Sequence, residues 1–294
     1  MPNCNSKKLS RIALIGTGAI GNPVGQNLLK AGFDLNINLR KKSNRNNSHL
    51  ELGHFFCTPK ETVKDCQLVI ICVTDSKAVE EVIFGEDGLI SSISSGTNIV
   101  DLSTISPKSA REISFKLEQQ GVNYFDAPVT GGTEAAISGD LTIFFGGDRY
   151  SCKPFVHVLN KLASKIYFFG EIGKGQEVKM LNQILVAGTY ASVAEAIAMG
   201  EKLDLPMKKV VKALQSGAAA SWPLMHRSNS MIADNYPLGF KLSLHNKDLL
   251  IALQASYEAG IELPVSKLVY QLEKELISQG YHNSDVSVLK KAIK

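Results

Sequence analysis

Between residues 11 and 169, short β-rich runs alternate with segments of helical period, and after Gly170 the runs stop. The runs are Arg11–Gly16, Leu35–Leu39, Gln67–Val73, Thr97–Ser103, Val122–Val129, Leu141–Phe145 and Lys165–Phe169. Most are continuous rather than strictly alternating, which is how strands covered on both faces of a parallel sheet read. Helices are expected between them at Ala19–Ala31, Lys77–Phe84, Pro107–Gln120 and Arg149–Leu162; Ser106 is a fair N-cap before a proline at the first helical position. This order builds βαβ units and predicts a doubly wound α/β domain over residues 1–170. A glycine-bounded turn, Gly170 to Gly175, then leads into a helix expected from about Gln176 to Leu203, roughly 40 Å long. It is too apolar all round to lie on a surface and is expected to be a core helix. Met207–Ser216, Asn246–Ala259 and Val265–Gln279 continue as helices, so residues 171–294 are expected to form an all-α domain joined by the long helix. A length of 294 residues suits two domains.

Composition narrows the function classes. Against 28 Asp+Glu there are 32 Lys+Arg, a formal charge of +4. That is too small and too dispersed for nucleic-acid binding. The longest apolar stretch, Met180–Met199, is broken by Asn182, Gln183, Thr189, Tyr190, Ser192 and Glu195, so no membrane span is expected. The start shows no signal-peptide pattern, and five cysteines, with no CxxC pair, point to a reduced, cytoplasmic compartment. The six histidines show no HExxH, and His49, His54 and Cys57 lack zinc-site spacing, so they are read as ordinary residues and no metal is expected. No GxSxG or Walker motif is present. Arg227, near Trp222, is a weaker candidate for an anionic substrate.

The first chemical motif is Ile12-Ala-Leu-Ile-Gly16-Thr17-Gly18-Ala19-Ile20-Gly21. A GxGxxG alone is weak, but this one follows a strand and opens a helix, the context dinucleotide binding requires. Gly16 permits the tight turn, Gly18 lets a pyrophosphate approach the backbone, and Gly21 lets the helix pack close to the strand. The helix N-terminus supplies unpaired N–H donors. NAD sites usually place a carboxylate near the end of the second strand for the ribose 2′-OH. Here no Asp or Glu occurs between Leu35 and Leu50, and Arg40, Lys41, Lys42, Ser43 and Arg45 stand instead. A guanidinium forks well onto a phosphate. NADP is therefore expected over NAD, with Arg40 and Lys41 as its readers.

Four further motifs occur in order: Asp126-Ala-Pro-Val-Thr130-Gly131-Gly132; Gly139-Asp-Leu-Thr-Ile-Phe-Phe-Gly-Gly147; Gly173-Lys-Gly-Gln-Glu-Val-Lys179-Met-Leu-Asn182-Gln183; and Phe240-x6-Lys247-Asp248-Leu249. Together they resemble the β-hydroxyacid dehydrogenases, a family that includes 3-hydroxyisobutyrate dehydrogenase, tartronate semialdehyde (2-hydroxy-3-oxopropionate) reductase and glyoxylate/succinic semialdehyde reductase. The likeness runs from about Arg11 to Tyr281, and Ala218-Ala-Ala-Ser-Trp222 is most similar to the tartronate semialdehyde reductase branch. The resemblance implies a Rossmann-type nucleotide domain, a long interdomain helix, and an all-α domain for substrate binding and assembly into a homodimer or homotetramer.

It also implies hydride transfer between nicotinamide and a small carboxylate-bearing β-hydroxy acid or semialdehyde. Lys179 matches the catalytic lysine, expected in the first turn of the long helix. An ammonium there stabilises charge growing on the carbonyl oxygen and can deliver its proton. Run as an oxidation, the same amine must be neutral, which desolvation or a neighbouring cation would favour. Asn182 and Gln183 share the helix face of Lys179, and the family has a substrate-orienting amide here. Thr130, Gly131 and Gly132 match a Ser-Gly-Gly that binds the substrate carboxylate; the extra methyl of Thr130 narrows that pocket. Val73 and Thr104 match cofactor contacts, Ala78 stands where the family often has Asn, and Phe240 and Lys247 match residues that close over the cofactor. Two alternatives remain: an imine reductase-like enzyme, or a non-catalytic NADP-binding scaffold. Lys179 weighs against both.

Overall fold

The computed structural model of the protein describes residues 11–39 and 50–293. The chain divides into two compact units, with the boundary after Lys179.

In the first unit the order is β1 (Ile12–Ile15), α1 (Gly21–Lys30), β2 (Leu35–Asn38), β3 (His54–Phe56), α2 (Pro59–Thr62), β4 (Leu68–Ile71), α3 (Ser76–Phe84), β5 (Asn98–Asp101), α4 (Pro107–Glu118), β6 (Asn123–Asp126), β7 (Val129–Thr130), α5 (Gly132–Ser138), β8 (Leu141–Phe145), α6 (Val156–Leu159) and β9 (Ala163–Phe168). β1 to β6 make one parallel sheet in the order β3-β2-β1-β4-β5-β6. The order reverses direction between β1 and β4, the switch point at which open α/β sheets bind ligands.

Strand geometry explains why most of these runs are apolar without alternation. Successive side chains point to opposite faces, and both faces are covered. Ile12, Leu14, Leu68 and Ile70 pack in one core layer with Val24 and Leu28 of α1. Ala13, Ile15, Val69 and Ile71 pack in the other with Val79 and Ile83 of α3 and Ile113 and Leu117 of α4. Each of these large aliphatics, fully buried, contributes about 1.5–3 kcal/mol. The unit is therefore doubly wound, in agreement with the periodicity.

Three local expectations are corrected. The single run over Val122–Val129 is two strands in different sheets: β6 ends at Asp126, and β7 pairs antiparallel with β8 in a second sheet of order β7-β8-β9. Pro128, which has no N–H to give a ladder, sits between them. The helix expected over Arg149–Leu162 shrinks to α6, because Pro154 interrupts its interior. β3 and α2 are additions; Thr58 and Glu61 form a capping box at the head of α2.

The second unit holds most of α7 (Lys174–Lys202), then α8 (Met207–Leu214), α9 (Trp222–His226), α10 (Ser228–Ile232), α11 (Leu242–Glu258) and α12 (Pro264–Ser278), with 3₁₀ turns at Tyr281–Asn283 and Val286–Ala292. Its core joins Ala187, Tyr190, Ala194 and Ile197 of α7 to Leu242 and Leu249 of α11, Val269 and Leu276 of α12, and Val286, Val288 and Leu289. α11 starts four residues before the expected Asn246, since Leu242, His245, Leu249 and Ala252 form one buried stripe. The polar His245 hid that period in the sequence. α7 was expected to be covered all round, yet Leu181, Leu185 and Met199 are exposed on it. Among the described residues no helix is long and apolar enough to cross a membrane.

Candidate active site

The turn from β1 to α1 lies at the carboxyl end of the central strand. Gly16 has φ +97°, and a β-carbon on it would lie 2.1 Å from the Cys72 carbonyl oxygen. A β-carbon on Gly21 would lie 1.9 Å from the Gly16 carbonyl oxygen. These two glycines are demanded by packing. Gly18 is different: its missing side chain would meet nothing within 4 Å. The turn thus shows bare backbone outward at Gly18, flanked by the exposed Ala19 and half-buried Thr17 and Ile20. α1 has no side-chain cap and no acidic residue in its first turn. Its N–H groups and partial positive charge suit a pyrophosphate, so the residues present fit a nicotinamide dinucleotide. Arg40 and Lys41 lie outside the described residues.

The neighbouring strand ends are tied together. Asp101, buried at the end of β5, accepts from the Ser103 N–H (2.9 Å) and from the Tyr124 hydroxyl (2.8 Å). The Ser103 hydroxyl in turn accepts from the Val73 N–H at 2.9 Å. This chain fixes the loops carrying Val73 and Thr104. Burial lifts the Asp101 carboxyl to about 6, against the lowering effect of its hydrogen bonds from Ser103 and Tyr124.

The head of α7 belongs to this same edge. Asp126, at the end of β6, takes the Gly173 N–H on Oδ1 (2.7 Å) and the Gln176 N–H on Oδ2 (2.8 Å). A buried carboxylate here satisfies two orphan helix donors and complements the dipole. Burial raises its pKa all the same, outweighing those two donors. The Gln176 side chain accepts from the Ile105 N–H (3.1 Å) and donates to the Ser103 carbonyl (2.8 Å). Lys179 is three residues on, so it shares the face of Gln176, and it is only 7% exposed. Because α7 starts at Lys174, Lys179 stands in the second turn rather than the first. Thr130 closes β7, and Gly131 (φ +121°) and Gly132 (φ +70°) turn the chain into α5. Sequence reasoning quoted Asp126 and Gln176 inside motifs without giving them roles. A carboxylate at a strand end just before Ala-Pro is the signal that could have found Asp126.

In the second unit the amides after Lys179 enter a buried network. Gln183 Nε2 donates to Asp248 Oδ2 at 2.7 Å, and Asn182 Nδ2 donates to Gln183 Oε1 at 2.8 Å. The carboxylate sets the direction of the chain, since it can only accept. Gln183 is 1% exposed and committed on both ends. Asn182 is half-buried, and its carbonyl oxygen stays outside the network. Lys247 Nζ pairs with Asp248 Oδ1 at 2.8 Å, so Asp248 joins the α7 amides to the α11 lysine. Phe240 is tied by its backbone: its N–H donates to Asp285 Oδ2 (2.9 Å), and its carbonyl accepts from the Val286 N–H (3.0 Å). Arg227 is buried over the Trp222 ring, 4.8 Å from its centroid, with Nε 3.7 Å from Asp285 Oδ1. Its geometry is that of a structural cation. Among the described residues no group of three His, Cys, Asp or Glu side chains is placed to hold a metal.

Comparison with known proteins adds to this geometry. Residues 11–170 match the family described as the NAD binding domain of 6-phosphogluconate dehydrogenase. Residues 173–293 match the family described as NAD-binding of NADP-dependent 3-hydroxyisobutyrate dehydrogenase. The chain is 32% identical over 284 residues to the 2-hydroxy-3-oxopropionate reductase of Escherichia coli, covering 96% of this chain and 97% of that protein. It is 31% identical over 290 residues to the NAD-dependent L-serine dehydrogenase of Pseudomonas aeruginosa, with 96% and 97% covered. The solved 3-hydroxyisobutyrate dehydrogenase of Mycobacterium tuberculosis with L-serine matches at a TM-score of 0.84 and 26% identity, covering 96% of this chain and 98% of that one.

Proposed function

This chain belongs to the β-hydroxyacid dehydrogenase family and is an NAD(P)-dependent dehydrogenase acting on CH–OH groups; we propose that it interconverts a short β-hydroxy acid and its semialdehyde or keto form, with NADP preferred. The observation that carries this reading is Lys179: a nearly buried amine, one helical turn beyond a glutamine bonded to the 103–105 loop, in a unit whose glycine turn suits the nucleotide. A nucleotide held on the Gly16–Gly21 turn would supply or accept the hydride. As the carbonyl carbon is reduced, the Lys179 ammonium stabilises the charge on its oxygen and gives that oxygen a proton. In oxidation the neutral amine takes the hydroxyl proton. Thr130, Gly131 and Gly132 hold the substrate carboxylate through a hydroxyl and backbone N–H groups. Asn182, the half-buried amide of the pair, orients the substrate, while Gln183 holds Asn182 in place.

The relatives supply the substrate class: one is named for 2-hydroxy-3-oxopropionate, another for L-serine, both three-carbon carboxylates with an oxygen function on C3. The NADP preference rests on the lack of any carboxylate from Leu35 to Leu50 and on Arg40 beside Lys41. Leu181, Leu185 and Met199 on α7, with Tyr257 on α11 and Val265 and Leu268 on α12, are exposed, and a second copy of this chain is the occupant that suits so apolar a set.

A panel of C2–C4 semialdehydes with NADPH and NADH tests the reading. Turnover that is no faster in wild type than in Lys179→Ala would remove the enzyme mechanism. An unchanged nucleotide preference in Arg40→Ala, or a wild type that prefers NADH, would remove the basic-loop argument.

A further inference from the structure

The side chain of Gln176 is buried and makes two bonds to one loop of the first unit. Its Oε1 accepts from the Ile105 N–H at 3.1 Å, and its Nε2 donates to the Ser103 carbonyl at 2.8 Å. A residue in a parallel ladder makes this same pair of bonds, to the carbonyl before its neighbour and to the N–H after it. The Gln176 amide thus takes the place of one strand residue just beyond the end of β5. The pairing needs a neutral group that donates at one end and accepts at the other, which neither a carboxylate nor an ammonium does.

We propose that Gln176 is a positioning residue for Lys179, fixing the rotation of the head of α7 by its grip on the 103–105 loop. This deepens the proposed function and rests on its reading of Lys179. Asp126 holds the backbone of the same turn, taking the Gly173 and Gln176 N–H groups at 2.7 and 2.8 Å. Bonds to the N–H groups of a first turn run along the helix axis, so they hold the helix end down without stopping it from turning. Rotation is opposed by buried side chains. Of residues 174–179 only Gly175, Gln176 and Lys179 are buried, and glycine has no side chain to grip with. The Arg111–Glu177 ion pair at 3.1 Å lies within reach of solvent, where such pairs contribute little. Lys179 follows Gln176 by three residues and shares its face. A turn of about 10° carries a side-chain tip, about 5–6 Å from the axis, through about 1 Å. An error of that size in an active site can cost about 10²-fold in rate.

The loop that Gln176 grips is itself tied to the glycine turn. The Ser103 N–H donates to Asp101 Oδ1 at 2.9 Å, and the Ser103 hydroxyl accepts from the Val73 N–H at 2.9 Å. Val73 Cγ1 lies 3.1 Å from the point that a β-carbon on Gly16 would occupy. The framework from the nucleotide turn to the amine therefore runs through Gly16, Val73, Ser103, Gln176 and Lys179, all within the first unit.

The test is a double-mutant cycle on the full chain, using the C2–C4 semialdehyde that wild type turns over fastest and NADPH, or NADH where that is faster. Nucleotide oxidation is followed in single turnovers with enzyme in excess, so that slow variants are read. Gln176→Met keeps the shape of the side chain and the backbone bond to Asp126 but makes neither loop bond. Its rate is expected to fall about 10–10²-fold, with the nucleotide dissociation constant within about threefold. In a Lys179→Ala background the same substitution is expected to change the residual rate by less than about threefold, since no amine is left to place. A merely structural role lowers the rate by the same factor in both backgrounds. A folded Gln176→Met with the wild-type rate, or with equal losses in the two backgrounds, overturns the proposal. If Gln176→Met does not fold, Gln176→Glu replaces it in the cycle, keeping an acceptor for the Ile105 N–H and losing the donor to Ser103. Failure of both to fold makes Gln176 a residue of the fold alone and overturns the proposal as well. Failure of the Lys179 mechanism shows separately, as a rate in Lys179→Ala equal to that of wild type.

Discussion

A β-carbon at position 16 has no room: 2.1 Å from a carbonyl oxygen on the adjoining strand, at φ +97°. Gly16→Ala is expected to destabilise the first unit by more than about 2 kcal/mol, read as a lower denaturation midpoint, with NADPH binding lost alongside. At Lys179 the expected split is the reverse. Lys179→Ala should lower kcat by about 10²–10⁴-fold and leave the NADPH dissociation constant within about threefold, a range narrower than 1 kcal/mol. Asp101 gives a pH-dependent prediction. Its carboxyl is held near 6 in the folded state, so folding favours the protonated form. Its contribution to stability therefore declines as pH rises from about 3.9, the unfolded value, toward 6. Asp101→Asn removes that decline, and the melting temperature of the variant relative to wild type should grow more favourable between pH 4 and pH 7. Of these three residues the glycine was legible from motif spacing and the lysine from the family resemblance. Asp101 was not, because a carboxylate at a strand end looks alike whether it is solvated or buried beneath a tyrosine.

At the scale of elements, the head of α7 depends on Asp126. The two backbone donors it accepts come 47 and 50 residues later in the chain. Asp126→Asn can keep one of those bonds and loses the charge, at a cost of about 1–2 kcal/mol, measurable by chemical denaturation. Because Gln176 and Lys179 share the helix face, the same change should also lower kcat. Most elements were legible because their periods are local: the continuous strands of the parallel sheet, the capped α4 and the long α7 all show in windows of a dozen residues. The misreadings were local too. Pro154 inside an expected helix and Pro128 inside an expected strand are each a missing N–H that overrode an otherwise consistent apolar pattern.

For the whole molecule, the exposed apolar residues of α7, α11 and α12 set the expectation of self-association. Leu185 and Tyr257 are 70% and 88% exposed, so charged replacements there carry little cost within one chain. The double variant Leu185→Asp, Tyr257→Asp is expected to run as a monomer in light scattering while the wild type does not, with helicity by circular dichroism unchanged. A monomeric wild type would remove that expectation.

Two kinds of information separate at this scale. Periodicity, turn chemistry and motif spacing are properties of neighbouring residues, and they were enough to specify a doubly wound sheet followed by helices and a tight glycine turn at Gly16–Gly21. Which buried polar groups meet is a property of the folded chain: Gln183 finds Asp248 across 65 residues and His245 finds Glu273 across 28. No local pattern encodes such pairings, because a polar side chain on a helix costs nothing in water and becomes a constraint only when packing removes the water around it. That is why His245 read as an ordinary residue in the sequence and stands in the fold as the meeting point of α7, α11 and α12.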